Sequence, residues 1–195
     1  MPLRDEQTAV VMSSFRWWTT LKGVLGSIRL GGNIVDKSPI RVLVVEDCEP
    51  WRRHFSTALQ KQPELQVIGE VSDGLEAVQK AQELQPDLIL LDIGLPTLNG
   101  IEAARRIRKV SPASRILFVS ENRSADIAEE ALSTGASGYV VKSDAESELL
   151  PAVKAVLEGK RFISASLASH FLVATTLSTT QTTLSWMVML ISGIR

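Results

Sequence analysis

Short apolar runs and helically spaced apolar residues alternate through the middle of the chain. Ile40–Val45 reads IRVLVV, a β-branched stretch suited to a strand covered on both faces. Behind it Trp51, Phe55, Ala58 and Leu59 recur at the spacing of one helix face. Gln66–Val71 reads as a second strand, and Asp73 with Gly74 turns the chain into a helix carrying Leu75, Val78, Ala81 and Gln82. Pro86 closes that helix before a third strand at Leu88–Leu91. A loop holding Gly94, Leu95 and Pro96 follows, and Asn99 with Gly100 opens a helix bearing Ile101, Ala104, Ile107 and Arg108. Arg115–Val119 is a fourth strand, Ala125–Leu132 a fourth helix stopping at Gly135, and Gly138–Val141 a fifth strand. Asp144 stands where it can cap a last helix that runs to Glu158 and ends at Gly159.

Strict alternation of five strand–helix units predicts an α/β fold, a doubly wound parallel sheet with helices on both faces. In such sheets ligands sit beyond the carboxyl ends of the strands, and the conspicuous polar residues fall there. Glu46 and Asp47 follow the first strand, Asp92 ends the third, Ser120 follows the fourth and Lys142 the fifth. Taken singly, Asp92 reads equally well as a turn carboxylate, Ser120 as a loop serine and Lys142 as a solvated lysine. Their coincidence at one sheet edge carries more weight. Crowded carboxylates resist ionisation, and magnesium prefers a few carboxylate oxygens together with water and phosphate. The set therefore suits phosphoryl transfer: Glu46, Asp47 and Asp92 around Mg²⁺, Asp92 as nucleophile, Ser120 and Lys142 on the phosphoryl oxygens.

Composition excludes several other chemistries. The 195 residues carry 21 basic and 22 acidic side chains, so no global field recruits nucleic acid. One cysteine, Cys48, leaves no intramolecular disulfide or cysteine zinc cage and fits a reducing, cytoplasmic setting; it reads as an inert loop thiol. His54, beside Arg52 and Arg53, reads as a surface histidine, and neither of the two histidines falls near the site, which argues against a zinc enzyme. No GxxxxGK[ST] or GxGxxG accompanies the strands. A haloacid-dehalogenase phosphatase also uses an aspartyl nucleophile, but it wants a second carboxylate two residues on, where this chain has Gly94.

The order acidic pair, Asp, Ser, Lys, with LLDIGLPTLNG around Asp92, resembles a bacterial two-component response-regulator receiver domain. GASGYVVK, ending at Lys142, is similar to the subgroup that usually carries a C-terminal LuxR-type helix-turn-helix. The resemblance spans about Ile40 to Arg161. It implies a flavodoxin-like five-stranded sheet of order 2-1-3-4-5, phosphorylation of Asp92 by a sensor histidine kinase, and a Gly94 backbone carbonyl on Mg²⁺. It also implies a switch in which Ser120 moves toward the phosphoryl group and Tyr139 swings inward. That repacks the face of the fourth helix, fifth strand and fifth helix, where a second receiver or a downstream protein docks. A receiver is not a turnover enzyme; at most it slowly dephosphorylates itself. The alternatives left open are a truncated transcriptional regulator that has lost DNA binding and a degenerate receiver that acts only by binding. Glu121 departs from the small residue that usually follows the serine, and a carboxylate there repels a phosphodonor. Ser143 stands where many members carry proline, and a cis bond before a non-proline residue costs about 3–4 kcal/mol, so a cis Lys142–Ser143 bond has no support.

The flanks differ from the body. Residues 1–39 read as an extension, either disordered, arising from a misassigned start, or forming one amphipathic helix through Phe15, Trp18, Leu21, Leu25 and Ile28. From Phe162 the chain is dense in Ser and Thr and has no formal charge before Arg195. That argues against DNA binding through the tail, which needs basic residues for phosphate contact. The apolar stretch Leu184–Ile194 is too short to span a membrane. Residues 162–195 are expected to be a truncated or frameshifted remnant of an output domain.

Overall fold

The computed structural model describes residues 38–168. The readings of residues 1–37 and of the tail beyond Ala168 lie outside the described residues. Six strands form one sheet: β1 (Ile40–Val45), β2 (Leu65–Val71), β3 (Leu88–Leu91), β4 (Arg115–Ser120), β5 (Gly138–Val141) and β6 (Phe162–Ile163). Every neighbouring pair is parallel, in the order 2-1-3-4-5-6. Between them run α1 (Glu49–Gln60), α2 (Gly74–Leu84), α3 (Gly100–Val110), α4 (Ala125–Ser133) and α5 (Ala145–Leu157), with a 3₁₀ turn at Lys142–Asp144.

The two-residue period of the strands sorts their side chains into two cores. Leu43, Val45, Ile89, Leu91 and Phe118 pack with Ala81 of α2, Ile107 of α3 and Ala131 of α4. Val42, Val44, Leu88, Leu90 and Leu117 face Phe55 and Leu59 of α1 and Leu149 and Val153 of α5. Strands covered on both sides have no polar face to show, which is why β1 and β3 read as unbroken apolar runs. Local chemistry sets where the helices begin. The Asp73 carboxylate accepts from the Leu75 and Glu76 N–H groups at 2.8 and 3.1 Å, and the Asn99 side chain from Glu102 N–H at 2.9 Å. At the far end Gly159 closes α5 with φ +81°.

Two expectations are corrected. Asp144 occupies the position before α5, but its carboxylate caps no helix N–H. The 3₁₀ turn runs straight into the helix and holds Asp144 in the helical region (φ −100°, ψ −6°), whereas a capping side chain needs an extended residue. Its oxygens instead accept from Ser143 Oγ at 2.9 Å and Ser166 Oγ at 2.6 Å.

The second correction concerns the sheet, which has six strands and not five; the packed unit passes beyond Arg161. Phe162 N donates to Ser137 O and Ser164 N to Tyr139 O, laying β6 along β5. Ser164 is fully buried: its Oγ accepts from Val141 N at 2.9 Å and donates to the Glu148 carboxylate. Leu167 is buried in the core lined by α2, α3 and α4. Replacing Ser164 by Ala leaves the Val141 N–H buried without that partner, and stability is expected to fall by about 1–3 kcal/mol. Denaturant unfolding of Ser164→Ala measures this, and an unchanged midpoint would show that the Ser164 bridge between Val141 and Glu148 does not stabilise the fold.

Candidate functional site

The carboxyl ends of β1, β3, β4 and β5 meet at one edge of the sheet. Asp92 N donates to Val45 O at 2.9 Å and Glu46 N to Val71 O at 3.0 Å, so both acidic residues leave the sheet from its last ladder bonds. Glu46, Asp92, Ser120 and Lys142 are buried, while Asp47 is exposed. Lys142 Nζ donates to Glu46 Oε1 at 2.8 Å and to Asp92 Oδ2 at 2.9 Å, joining strands β1, β3 and β5 at a point. Asp92 Oδ1 accepts from Ile93 N at 2.7 Å. The Lys142–Ser143 bond is trans.

Above these groups opens a cleft of about 570 Å³ whose walls include Asp47, Asp92, Gly94, Ser120, Glu121 and Lys142. Every polar residue singled out at the strand ends is thus at one place, and Gly94 and Glu121 stand on its rim. Tyr139 joins this lining through Asn122. Its ring is fully buried, 6.4 Å between centroids from Phe118, and its hydroxyl donates to Asn122 O at 2.8 Å. Asn122 N in turn donates to Ser120 Oγ at 3.3 Å, so Ser120 and Tyr139 are linked through one loop residue.

One ammonium shared by two carboxylates, with a third close by, leaves surplus negative charge. Burial pushes the Glu46 carboxyl up to about 7; the Lys142 hydrogen bond opposes this and the charge of Asp92 adds to it. Lys142 is also raised, because hydrogen bonds and charge from Glu46 and Asp92 together outweigh the burial that would lower it. Lys142 is thus held charged, while burial above all keeps the Glu46 carboxyl high. Burial likewise raises the Tyr139 hydroxyl.

The residues present fit a hard divalent cation. Ligand atoms from Glu46, Asp47 and Asp92 all lie within 4.8 Å of one another. Both Glu46 oxygens stand 2.8 Å from Lys142 Nζ, so the carboxylate is held by a single ammonium. An all-oxygen donor set of three converging carboxylates suits magnesium, which keeps much of its water.

Three neighbours of the site were not visible in the sequence pattern. Trp51, expected only on the core face of α1, also brings its ring centroid to 5.9 Å from Lys142 Nζ while stacking on Phe55. Arg52 reaches back to the loop after β1. Asn122 connects Ser120 to Tyr139. Proximity in sequence to Asp47 and Ser120 was the available signal. Cys48 is exposed, and its backbone N–H donates to Glu46 Oε1 at 3.2 Å. His54 is at the surface.

The chain is similar to several known proteins. Residues 42–154 match the family model described as the response regulator receiver domain. The response regulator GacA of Pseudomonas viridiflava is 34% identical over 131 residues, 67% of this chain and 61% of that protein. A protein-glutamate methylesterase/protein-glutamine glutaminase of Thermotoga maritima is 46% identical over 105 residues, 53% of this chain but 30% of that protein. The crystal structure of a LuxR-family two-component response regulator from Aurantimonas sp. SI85-9A1 superposes with a TM-score of 0.67 at 34% identity, covering 71% of this chain and 99% of that one. The chain spans about three-fifths of the length of GacA. With the family model covering more than half of the residues and the strand ends meeting as such a domain requires, the chain belongs to the response regulator receiver domain family of two-component systems.

Proposed function

We propose that this receiver accepts a phosphoryl group on Asp92 from a partner sensor histidine kinase, in the cytoplasm, and passes the event on as a change of packing. The observation that carries the reading is the Lys142 ammonium bridging Glu46 and Asp92 at the floor of an open cleft. Glu46, Asp47 and Asp92, with the Gly94 carbonyl, would hold Mg²⁺. A bound cation there screens the carboxylates from an anionic donor and offsets charge that develops during transfer.

The chain's own groups supply the remainder. An Asp92 carboxylate oxygen attacks phosphorus as the bond from phosphorus to the donor nitrogen or oxygen breaks, and the electron pair leaves with the donor. Lys142, already held charged, takes one phosphoryl oxygen, and the Ser120 hydroxyl takes another. Pulling Ser120 toward the phosphoryl group draws on Asn122 and hence on the Tyr139 hydroxyl; the ring already lies inward, so its bond to Asn122 is what couples the site to the packing of the α4–β5–α5 face. That face is the proposed docking surface for a second receiver or a downstream protein. The protein acts stoichiometrically, with at most slow self-dephosphorylation.

Incubation with acetyl phosphate and Mg²⁺ is expected to add a single phosphoryl group, labile to acid and base, read by intact mass. In Asp47→Ala most labelling and its Mg²⁺ dependence are expected to disappear together. Wild-type behaviour of Asp47→Ala would remove the proposed metal site. Repeated turnover of small phosphoesters by the purified protein would point to a phosphatase instead.

A further inference from the structure

Glu46 and Asp47 are adjacent, yet adjacent residues of an extended chain point to opposite sides. Their ligand atoms nonetheless come within 4.8 Å of each other, so the chain must bend between them. The last ladder bonds of this edge, from Glu46 N and to Val45 O, lie before that bend and do not hold it. Arg52 closes across it. Its Nη1 donates to Glu46 O at 2.7 Å and to Asp47 O at 3.2 Å, and its Nε stands 3.9 Å from Glu70 Oε2 on β2. Its backbone N–H also donates to Cys48 O. The next residue behaves differently: Arg53 is 77% exposed and pairs with Glu49 along the helix, whereas Arg52 is folded back and 21% exposed.

We infer that Arg52 is a positioning residue for the cation site, clamping the two successive carbonyls so that the Glu46 and Asp47 carboxylates converge. This rests on the proposal that Glu46, Asp47 and Asp92 hold Mg²⁺. Charge alone predicts the opposite of positioning. A guanidinium beside a cation site repels the ion, so removing it tightens Mg²⁺ binding if electrostatics dominate. Loss of the clamp loosens binding.

The test is calorimetric titration of the full chain with MgCl₂ at fixed ionic strength, for wild type, Arg52→Lys and Arg52→Ala. Residues that orient metal ligands typically change affinity about 10–100-fold, and the Kd is expected to rise about tenfold in Arg52→Ala. Arg52→Lys keeps the charge and one flexible donor group without the planar fork, and its Kd is expected between the two. Saturating Mg²⁺ is expected to restore the rate of labelling by acetyl phosphate in both variants, a separation of affinity from rate that a general loss of folding does not produce. Should Arg52→Ala not fold, Arg52→Lys alone decides by its Kd relative to wild type. An unchanged or lower Kd in the folded variants overturns the inference and leaves the metal site standing. Absence of Mg²⁺ binding in the wild type overturns the metal site itself.

Discussion

Asp92→Asn is expected to lower phosphoryl uptake from acetyl phosphate by at least about a hundredfold, a barrier increase of about 2.7 kcal/mol, while the protein stays folded. The amide that replaces the carboxylate has no anionic oxygen with which to attack phosphorus. The surroundings, however, can accommodate it. The Asn side-chain oxygen still accepts a hydrogen bond where Asp92 met Ile93 N or Lys142 Nζ, and Lys142 keeps Glu46 as partner. Removing one charge from a group of three carboxylates also relieves the repulsion that helps to raise Glu46. The unfolding midpoint is therefore expected to stay within about 1 kcal/mol of wild type. Persistent labelling of a folded Asp92→Asn protein would move the phosphoacceptor elsewhere.

Gly100→Ala is expected to destabilise this edge severely. A Cβ at residue 100 would lie 1.9 Å from Asp92 O and 2.9 Å from Ile93 Cα. Those are backbone atoms and cannot rotate aside, so the start of α3 and the end of β3 must separate. Forcing atoms into a filled site costs about 1–3 kcal/mol, occasionally more, and a backbone overlap of this depth belongs at the upper end, about 3 kcal/mol or beyond. The shift is transmitted to the Asp92 peptide, so Mg²⁺ affinity is expected to fall with stability. Gly94→Ala is the control. There the added Cβ lies 3.6 Å from Asp92 Oδ2, ordinary contact distance, and its stability is expected near wild type. Thermal unfolding of the two variants side by side checks the contrast; equal stability would mean that the close approach of α3 to β3 is not needed.

Much of the site was legible because it follows from strand ends. The apolar runs end at Val45, Leu91 and Val141, and in a parallel sheet those ends lie side by side, so Glu46, Asp47, Asp92 and Lys142 meet without any knowledge of packing. Ser120 was expected after the fourth strand and is its last residue. Tyr139 was placed on the fifth strand, yet its bond to Asn122 depends on how the loop after β4 folds over it. Asp144 was placed correctly at the start of α5, but the 3₁₀ turn holds it in the helical region, where its carboxylate cannot cap and instead accepts from Ser143 and Ser166. The sixth strand was invisible because two residues carry no period, and the Ser and Thr around them mimic a solvated tail. Ser164 is polar by type and fully buried by virtue of Val141 and Glu148.

By itself the sequence determined the elements, their alternation and the chemical types gathered at one edge. Those depend on neighbours in the chain: periodicity, caps, turns and the residue that happens to end a strand. Only the tertiary structure decided which polar atoms pair. It put one lysine between two carboxylates, laid β6 along β5, and folded Arg52 back on the loop that carries Glu46 and Asp47. A buried donor or acceptor must find a partner wherever the packed chain supplies one, and that choice is made by distance in space between residues whose separation in sequence carries no information about it.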